Sequence, residues 1–222
     1  IIEHFKCVLP ALKDHRYICV DGKPMFMVYD PLSVPNMNNF MKIWNELAIK
    51  NGLTNGIHFV GLASGWLDKY QKTLDLGLDA IAPSNLWYAE SKVKGKYIKL
   101  VEHKLRKYFP SIAPLDKYKY KDIIKNFYTD YDRLENSYPS IIPNWDRSPR
   151  GGRRAVIYIG STPELFKQHI EDAIKIVENK KAEHKIIFLR SWNEWAEGNY
   201  VEPDIKFGHG YLDSLRSVIL EE

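Results

Sequence analysis

The chain has 222 residues, of which 45% are hydrophobic and 27% charged, a balance typical of a globular protein. Its net charge of +4 is mild, and no basic run is interleaved with aromatic residues, so we expect no nucleic-acid partner. No apolar run approaches the roughly 20 residues that cross a bilayer, so we expect no membrane span.

The two cysteines, Cys7 and Cys19, form no CxxC pair, which indicates neither a zinc site nor a disulfide framework. We expect them to be free, buried thiols in a reducing compartment, which favours a cytoplasmic location. The histidines are scattered without the spacing of a metal site, so no metal and no other cofactor is predicted.

Predicted strands and helices alternate through the first half of the chain. Two short strands within 17–31 surround an Asp21–Gly22 turn, and a helix over 36–52, strands over 57–64 and 79–85 and a helix over 90–109 follow. Asn36 or Asn38 could cap the first of these helices.

The alternation continues in the second half. The predicted elements are a helix over 118–131, strands over 138–146 and 155–161, a helix over 161–180, a strand over 185–192 and a helix over 210–222. Ser161 or Thr162 could cap the helix that follows, with Pro163 in its first turn. This pattern predicts an α/β fold with a mainly parallel sheet, whose ligand sites gather at the carboxyl ends of the strands.

Acidic and aromatic residues follow the last predicted strand directly, in the stretch SWNEWAEGNYVEPD at 191–204. On a helical turn, Glu194 and Glu197 would share one face, about 5–6 Å apart at Cβ. That spacing suits the paired carboxyls of a glycosidase that retains configuration. Two glutamates near a helix start can also simply complement the helix dipole.

Other polar and aromatic side chains lie close to this pair in sequence or at the same sheet edge. Trp192, Trp195 and Tyr200 could stack on a sugar ring, and Asn193 could hold a hydroxyl or orient a carboxylate. Arg150, after the strand that ends near Asp146, could bind a phosphate or sugar acid, or form an ion pair that fixes its loop.

Three segments resemble the WbsX-like glycosyltransferase family of lipopolysaccharide and polysaccharide gene clusters. They are SWNEWAEGNYVEPDIKFGHGYLDSL at 191–215, RYICVDGKPMFMVYDP at 16–31 and NWDRSPR at 144–150. That family is related to glycoside hydrolase family 99, the endo-α-mannosidases and endo-α-mannanases.

The resemblance implies a (β/α)8 TIM-type barrel acting on an oligosaccharide or polysaccharide. Carried over from the matching N-E-W-x-E-G stretch, Glu194 assists the substrate's own 2-hydroxyl as it attacks the anomeric carbon. Glu197 is the general acid/base, and Glu202 is either a supporting or a structural carboxylate. The residues expected to bind substrate are Trp192, Asn193, Trp195, Tyr200, Glu202, Trp145, Asp146 and Arg150.

A complete barrel of this type takes about 250 residues, and only about five core strands are predicted here. We therefore expect residues 1–222 to be a single carbohydrate-active domain, N-terminally incomplete, with the early strands absent. Its uncovered sheet edge could be covered in a homodimer.

The leading function is glycosyl transfer in bacterial surface-polysaccharide synthesis, with a nucleotide sugar as candidate donor. The alternatives are a retaining endo-α-mannosidase-type hydrolase, which would use the same two glutamates, and a non-catalytic glycan-binding protein.

Overall fold

The structure is a computed structural model that describes residues 1–220. Its helices are α1 Ile2–Leu12, α2 Met37–Lys50, α3 Leu67–Leu74, α4 Leu86–Lys94, α5 Lys96–Tyr108, α6 Tyr120–Lys125, α7 Ser148–Gly151, α8 Pro163–Val177 and α9 Gly210–Ile219. Its strands are β1 Cys19–Val20, β2 Lys23–Val28, β3 His58–Ser64, β4 Ala80–Ser84, β5 Asp116–Lys119, β6 Ser140–Ile141, β7 Val156–Ile159, β8 Phe188–Leu189, β9 Asn193–Glu194 and β10 Asn199–Tyr200.

Parallel strands form a curled sheet in the order β2, β3, β4, β6, β8. Hydrogen-bonded ladders join β2 to β3, β3 to β4 and β6 to β8, and a parallel bridge from Ile81 to Ser137 connects β4 to the segment before β6. The short β1 pairs with β2 in the antiparallel direction. The result is a mixed α/β fold with a half-barrel sheet, and β5 and β7 form a separate parallel pair.

The turn between β1 and β2 is the one that the sequence predicts. Asp21 and Gly22 have φ values of 51° and 69°, the conformation of a type I′ hairpin turn. Only glycine adopts this region without a steric cost, and aspartate is among the residues that tolerate it best.

For each of the two predicted helix caps, the structure selects one of the two candidate residues. The side chain of Asn36 accepts a hydrogen bond from the backbone N–H of Asn39 at the start of α2. Thr162 does the same for Leu165 at the start of α8. Each cap satisfies a backbone donor that the first helical turn leaves free, which typically contributes about 1 kcal/mol.

The helices cover the sheet with apolar faces. Trp44 of α2 is fully buried and packs edge-on against Phe5 of α1, while Phe166 and Ile170 of α8 lie in a second cluster with Ile141 of β6. Within the described residues, no helix is both long and apolar enough to cross a membrane.

Three local predictions were wrong. The helix over 118–131 is instead β5 followed by the short α6, because residues 116–119 alternate between buried and exposed with the period of a strand. The helix over 90–109 is divided into α4 and α5 at Gly95, whose φ is 85°. Cys7 and Cys19 are exposed, not buried, because one lies on the outer face of α1 and the other on the edge strand β1.

Two further differences concern the ends of the chain. The helix α1 was not predicted at all. The predicted helix over 210–222 is present as α9, and the last two residues of that prediction lie outside the described residues.

Candidate active site

A cavity of about 390 Å³ lies at the carboxyl ends of the sheet strands. Tyr29 follows β2 and Arg190 follows β8, and both line its wall. Glu194 and Glu197 line the same cavity, together with Trp145, Arg147, Arg150, Ser191, Asn193 and Asn199. Because parallel strands end at one edge, residues far apart in sequence meet here.

The two glutamates are carried by residues 191–201, which we call the acid hairpin. Within it β9 pairs with β10, so that Glu194 lies opposite Asn199, and a 3₁₀ turn over Trp195–Glu197 joins the two strands. The buried Asn199 accepts the backbone N–H of Ser191 at 3.1 Å through its side-chain oxygen. The glutamates thus lie on a strand end and a 3₁₀ turn, where the sequence suggested one helical turn.

Gly198 allows the acid hairpin to approach the loop after β6. Its φ is 57°, and a Cβ atom placed on it would lie 2.9 Å from Cβ and 3.1 Å from the backbone N of Asp146. The backbone N–H of Asp146 donates to the carbonyl oxygen of Glu197 at 2.7 Å. This contact sets the position of the second glutamate relative to the loop that carries the arginines.

Two arginines of that loop bind the side chain of Glu197. Arg147 Nε and Arg150 Nη1 each lie 3.1 Å from Glu197 Oε1. The Glu197 side chain is 12% exposed, whereas the two arginine side chains are 49% and 55% exposed. Because both arginines use Oε1, a proton delivered by this carboxyl would have to be carried on Oε2.

Arg190 lines the cavity next to the buried Trp145. Its guanidinium lies 4.8 Å from the ring centroid of the buried Trp145 and donates to Ser84 Oγ at 2.8 Å. Burial lowers the pKa of Arg190 from its usual range. A cation that stacks on a tryptophan and is largely shielded from water is well placed to meet a negatively charged group of a substrate.

A second, larger cavity of about 560 Å³ adjoins the first. The two share four lining residues, Tyr29, Trp145, Arg147 and Arg190, so that they form one cleft along the strand ends. We call the first the acid cavity and the second the basic cavity.

A buried charged pair forms one wall of the basic cavity. The Glu90 carboxylate binds the Lys99 ammonium through Oε2 and accepts from the Tyr158 hydroxyl at 2.8 Å through Oε1. Lys99 Nζ also lies 4.0 Å from the ring centroid of Trp87. Burial raises the pKa of Glu90, an effect that the Lys99 charge opposes.

The model of the family described as Glycosyltransferase WbsX matches residues 1–215. The chain belongs to this WbsX family. Two curated relatives, both described as uncharacterized protein WxcX and each from a strain of Xanthomonas campestris pv. campestris, are 24% identical over 213 residues. The match covers 94% of this chain and 28% of each relative, so the chain spans little more than a quarter of their length.

Two solved structures share the fold of this WbsX-family chain. One is described as a glycoside hydrolase-like protein, with a TM-score of 0.64, 16% identity and coverage of 97% of this chain and 59% of that one. The other is the GH99 endo-alpha-mannosidase from Bacteroides thetaiotaomicron, with a TM-score of 0.51, 16% identity and coverage of 91% and 51%. The family places the chain among carbohydrate-active proteins, as the resemblance in the sequence predicted.

The structure brings together five of the predicted site residues and separates the others. Glu194, Glu197, Asn193, Trp145 and Arg150 line the acid cavity. Arg150 forms an ion pair with Glu197, and this pair joins two loops instead of fixing the loop of Arg150 alone.

Trp192 lies outside the acid cavity. It lines a separate apolar groove with residues of β6, α8, β8 and α9, among them Ile141, Ile170 and Leu212. Successive side chains of an extended segment point to opposite sides, so Ser191 and Asn193 line the cavity and Trp192 between them does not.

The remaining predicted residues lie within the acid hairpin or next to it. The rings of Trp195 and Tyr200 stack on each other with centroids 3.6 Å apart, and Trp195 Nε1 donates to Glu202 Oε2 at 2.6 Å. Asp146 accepts the backbone N–H of Ser148 at 2.8 Å. None of these four side chains is among those lining the acid cavity.

Several cleft residues were missed in the sequence, notably Tyr29, Arg190 and Ser84. Each comes at or directly after the end of a parallel strand, which is the signal that could have identified them. Glu90 carried no such signal, because it lies inside α4 and reaches the cleft only through the helix packing.

Proposed function

We propose that this chain carries the reaction centre of a glycosyltransferase in bacterial surface-polysaccharide synthesis. The observation that supports it best is the pair Glu194 and Glu197 on one cavity at the carboxyl ends of the strands, beside arginines. The curled sheet would be the later part of a (β/α)8 barrel, and the family membership supports a sugar substrate.

In the proposed reaction the substrate's 2-hydroxyl is the internal nucleophile. Glu194 takes the proton of this hydroxyl as its oxygen bonds to the anomeric carbon. The bond from that carbon to the leaving oxygen breaks with its electron pair, and Glu197 supplies the proton. A hydroxyl of the acceptor then attacks the anhydro-sugar, gives its proton to Glu197, and the 2-oxygen recovers its proton from Glu194.

The contacts of Glu197 hold its carboxyl in a fixed place for the proposed reaction. The two arginines at Oε1 and the backbone contact to Asp146 restrict the orientation of the carboxyl. Positioning a proton donor in this way is one source of the 10²–10⁴-fold, roughly, that general acid–base catalysis contributes.

Hydrolysis is the second candidate, because the same steps with water as the acceptor release a shortened glycan. Arg147 and Arg150 are about half exposed, so water reaches the side chains that surround Glu197. The two reactions differ only in which hydroxyl opens the anhydro-sugar.

Product analysis by mass spectrometry separates these candidates. The protein is mixed with α-linked manno-oligosaccharides and a panel of nucleotide sugars in water enriched in heavy oxygen. Lengthened glycans without heavy oxygen, formed as a nucleotide sugar is consumed, are the expected result. Shortened glycans that carry heavy oxygen would show that the protein hydrolyses glycans and would contradict transfer.

Three variants complete the experiment. Glu194→Gln and Glu197→Gln should each reduce turnover by about 10²–10⁴-fold. Glu46→Gln, an exposed change on α2, is the matched control and should leave the rate unchanged. Sugar binding without turnover in the unmutated protein, preserved in both glutamate variants, would support a non-catalytic glycan-binding role instead.

A further inference from the structure

The basic cavity contains an excess of positive charge. Six lysine and arginine side chains line it against three carboxylates. The six cations are Lys69, Arg106, Lys107, Arg147, Arg154 and Arg190. They come from α3, α5, the loops on either side of α7 and the end of β8, so the charge is gathered by the fold and not by one basic run.

Two of the three carboxylates are already paired with lysine or arginine side chains. Glu90 binds Lys99, and Asp116 lies 2.7 Å from both Lys94 and Arg106. Of the other cavity cations, Arg147 pairs with Glu197.

Three cations at the cavity have no ion pair with a carboxylate within residues 1–220: Lys69, Lys107 and Arg154. Arg190 joins them, since its polar contact is the neutral Ser84 hydroxyl. Cations that converge on a concave site raise the local concentration of an anion and stabilise it once bound. The cavity volume of about 560 Å³ lies within the usual range for small-molecule sites.

Arg147 connects this charge to the glutamates. It lines both cavities and already binds Glu197. A negatively charged leaving group in the basic cavity would therefore lie beside the carboxyl that acts on the leaving oxygen. Cations next to a departing phosphate stabilise the charge that develops as the bond to the sugar breaks.

We propose that the basic cavity binds the diphosphate of an activated sugar, with the sugar directed into the acid cavity. This deepens the proposed function and rests on it for the identity of the sugar. The same diphosphate chemistry is supplied by a nucleoside diphosphate sugar and by a lipid-linked diphosphate sugar.

Direct binding measurements test the subsite independently of turnover. Isothermal titration of the full chain with inorganic pyrophosphate, uridine diphosphate, guanosine diphosphate and farnesyl diphosphate should give binding that weakens as salt increases. Tighter binding of a nucleoside diphosphate than of pyrophosphate assigns the nucleotide source, and tighter binding of the prenyl compound assigns the lipid source. No binding of any of the four compounds would overturn the proposal.

Charge variants locate the site. The double variant Lys107→Gln/Arg154→Gln removes two exposed cations of the basic cavity and should weaken diphosphate binding by about tenfold or more. The matched control Lys42→Gln/Arg133→Gln removes two exposed cations elsewhere and should leave it within about twofold. Equal weakening in both would show that only the overall charge matters and would overturn the subsite.

Diphosphate binding and glycosyl transfer can fail independently of each other. Diphosphate binding that depends on the cavity cations, in a protein that neither lengthens nor shortens glycans, would retain the subsite and reject the transferase. Transfer from a donor whose rate is unchanged in Lys107→Gln/Arg154→Gln would retain the transferase and reject the subsite.

Discussion

Two glutamates of the cleft, Glu90 and Glu197, are each bound by cations, yet these cations differ widely in their exposure to water. The side chains of Glu90 and its partner Lys99 are 4% and 1% exposed. Glu197 is bound by Arg147 and Arg150, whose side chains are about half exposed. A buried pair is held because neither charge can return to water, whereas an exposed pair exchanges readily with other partners. The buried Glu90–Lys99 pair suits a structural role. The Glu197–arginine pairs suit the proposed role of Glu197 in acting on a substrate.

The largest expected effect comes from breaking the buried pair. Glu90→Gln leaves the Lys99 ammonium buried without a counter-charge and should lower the free energy of unfolding by about 3–5 kcal/mol. Urea denaturation at neutral pH measures it. Adding Lys99→Met to Glu90→Gln should recover much of the loss.

Arg150→Gln provides the contrast at the exposed pair. It removes one of the two arginines of Glu197 and should change the free energy of unfolding by less than about 1 kcal/mol. If Glu90→Gln and Arg150→Gln lowered the free energy of unfolding equally, the buried and the exposed ion pair would not differ in their contribution to stability.

The second prediction concerns the close approach at Gly198. Gly198→Ala places a methyl group in the left-handed region and against Asp146, and should lower the free energy of unfolding by about 2–4 kcal/mol. Gly208 has a similar φ of 55° and nothing within 4 Å of its Cβ position. Gly208→Ala should therefore show only the conformational part, about 1–2 kcal/mol. Equal effects in thermal unfolding would mean that the loop after β6 can move away without cost.

A third and smaller effect extends the comparison to a buried group without a charged partner. His169 of α8 is fully buried against Phe127 and Tyr128, and burial lowers its pKa to about 3 from 6.5. As the pH falls below about 6.5, the unfolded chain binds a proton that the folded chain does not. Stability is therefore lost between about pH 6.5 and 3, by about 2 kcal/mol at pH 5.

Chemical denaturation across this pH range tests the assignment. His169→Gln should make the loss of stability with falling pH shallower by about one proton. His209→Gln, at an exposed position before α9, serves as the control and should keep the original slope. An unchanged slope in the His169 variant would show that the folded protein can protonate this ring.

The sequence predicted a strand or helix well where its hydrophobic periodicity extended over many residues. The long apolar strand β3 and the helix α2 were predicted closely, because their periodicity extends over several turns or alternations. Residues 118–119 of β5 were assigned to a helix, since lysines occupy the exposed positions of the strand and only Asp116 and Tyr118 mark its buried side. The two-residue strands of the acid hairpin are too short to show any period.

Some residues of the candidate site were predicted from the sequence, and their arrangement only partly. The pair Glu194 and Glu197 was recognised from a motif, and the structure places both on one cavity. The direction of Trp192 could not be predicted, because it depends on the extended backbone of the hairpin. Glu90 and Lys99 were missed because their importance comes from helix packing between distant segments.

The acid hairpin is closed by bonds between residues that are near each other in the sequence, which lowers the chain entropy lost when the site forms. The bonds that close it join Ser191 and Asn199, which are eight positions apart. Closing so short a loop costs less chain entropy than joining Gly198 to Asp146, which spans all of β7 and α8. The relative placement of the two glutamates is therefore encoded within one short peptide, while their access to the arginines depends on long-range order. Partial unfolding of the domain should therefore separate the arginines from the acid hairpin before it separates Glu194 from Glu197.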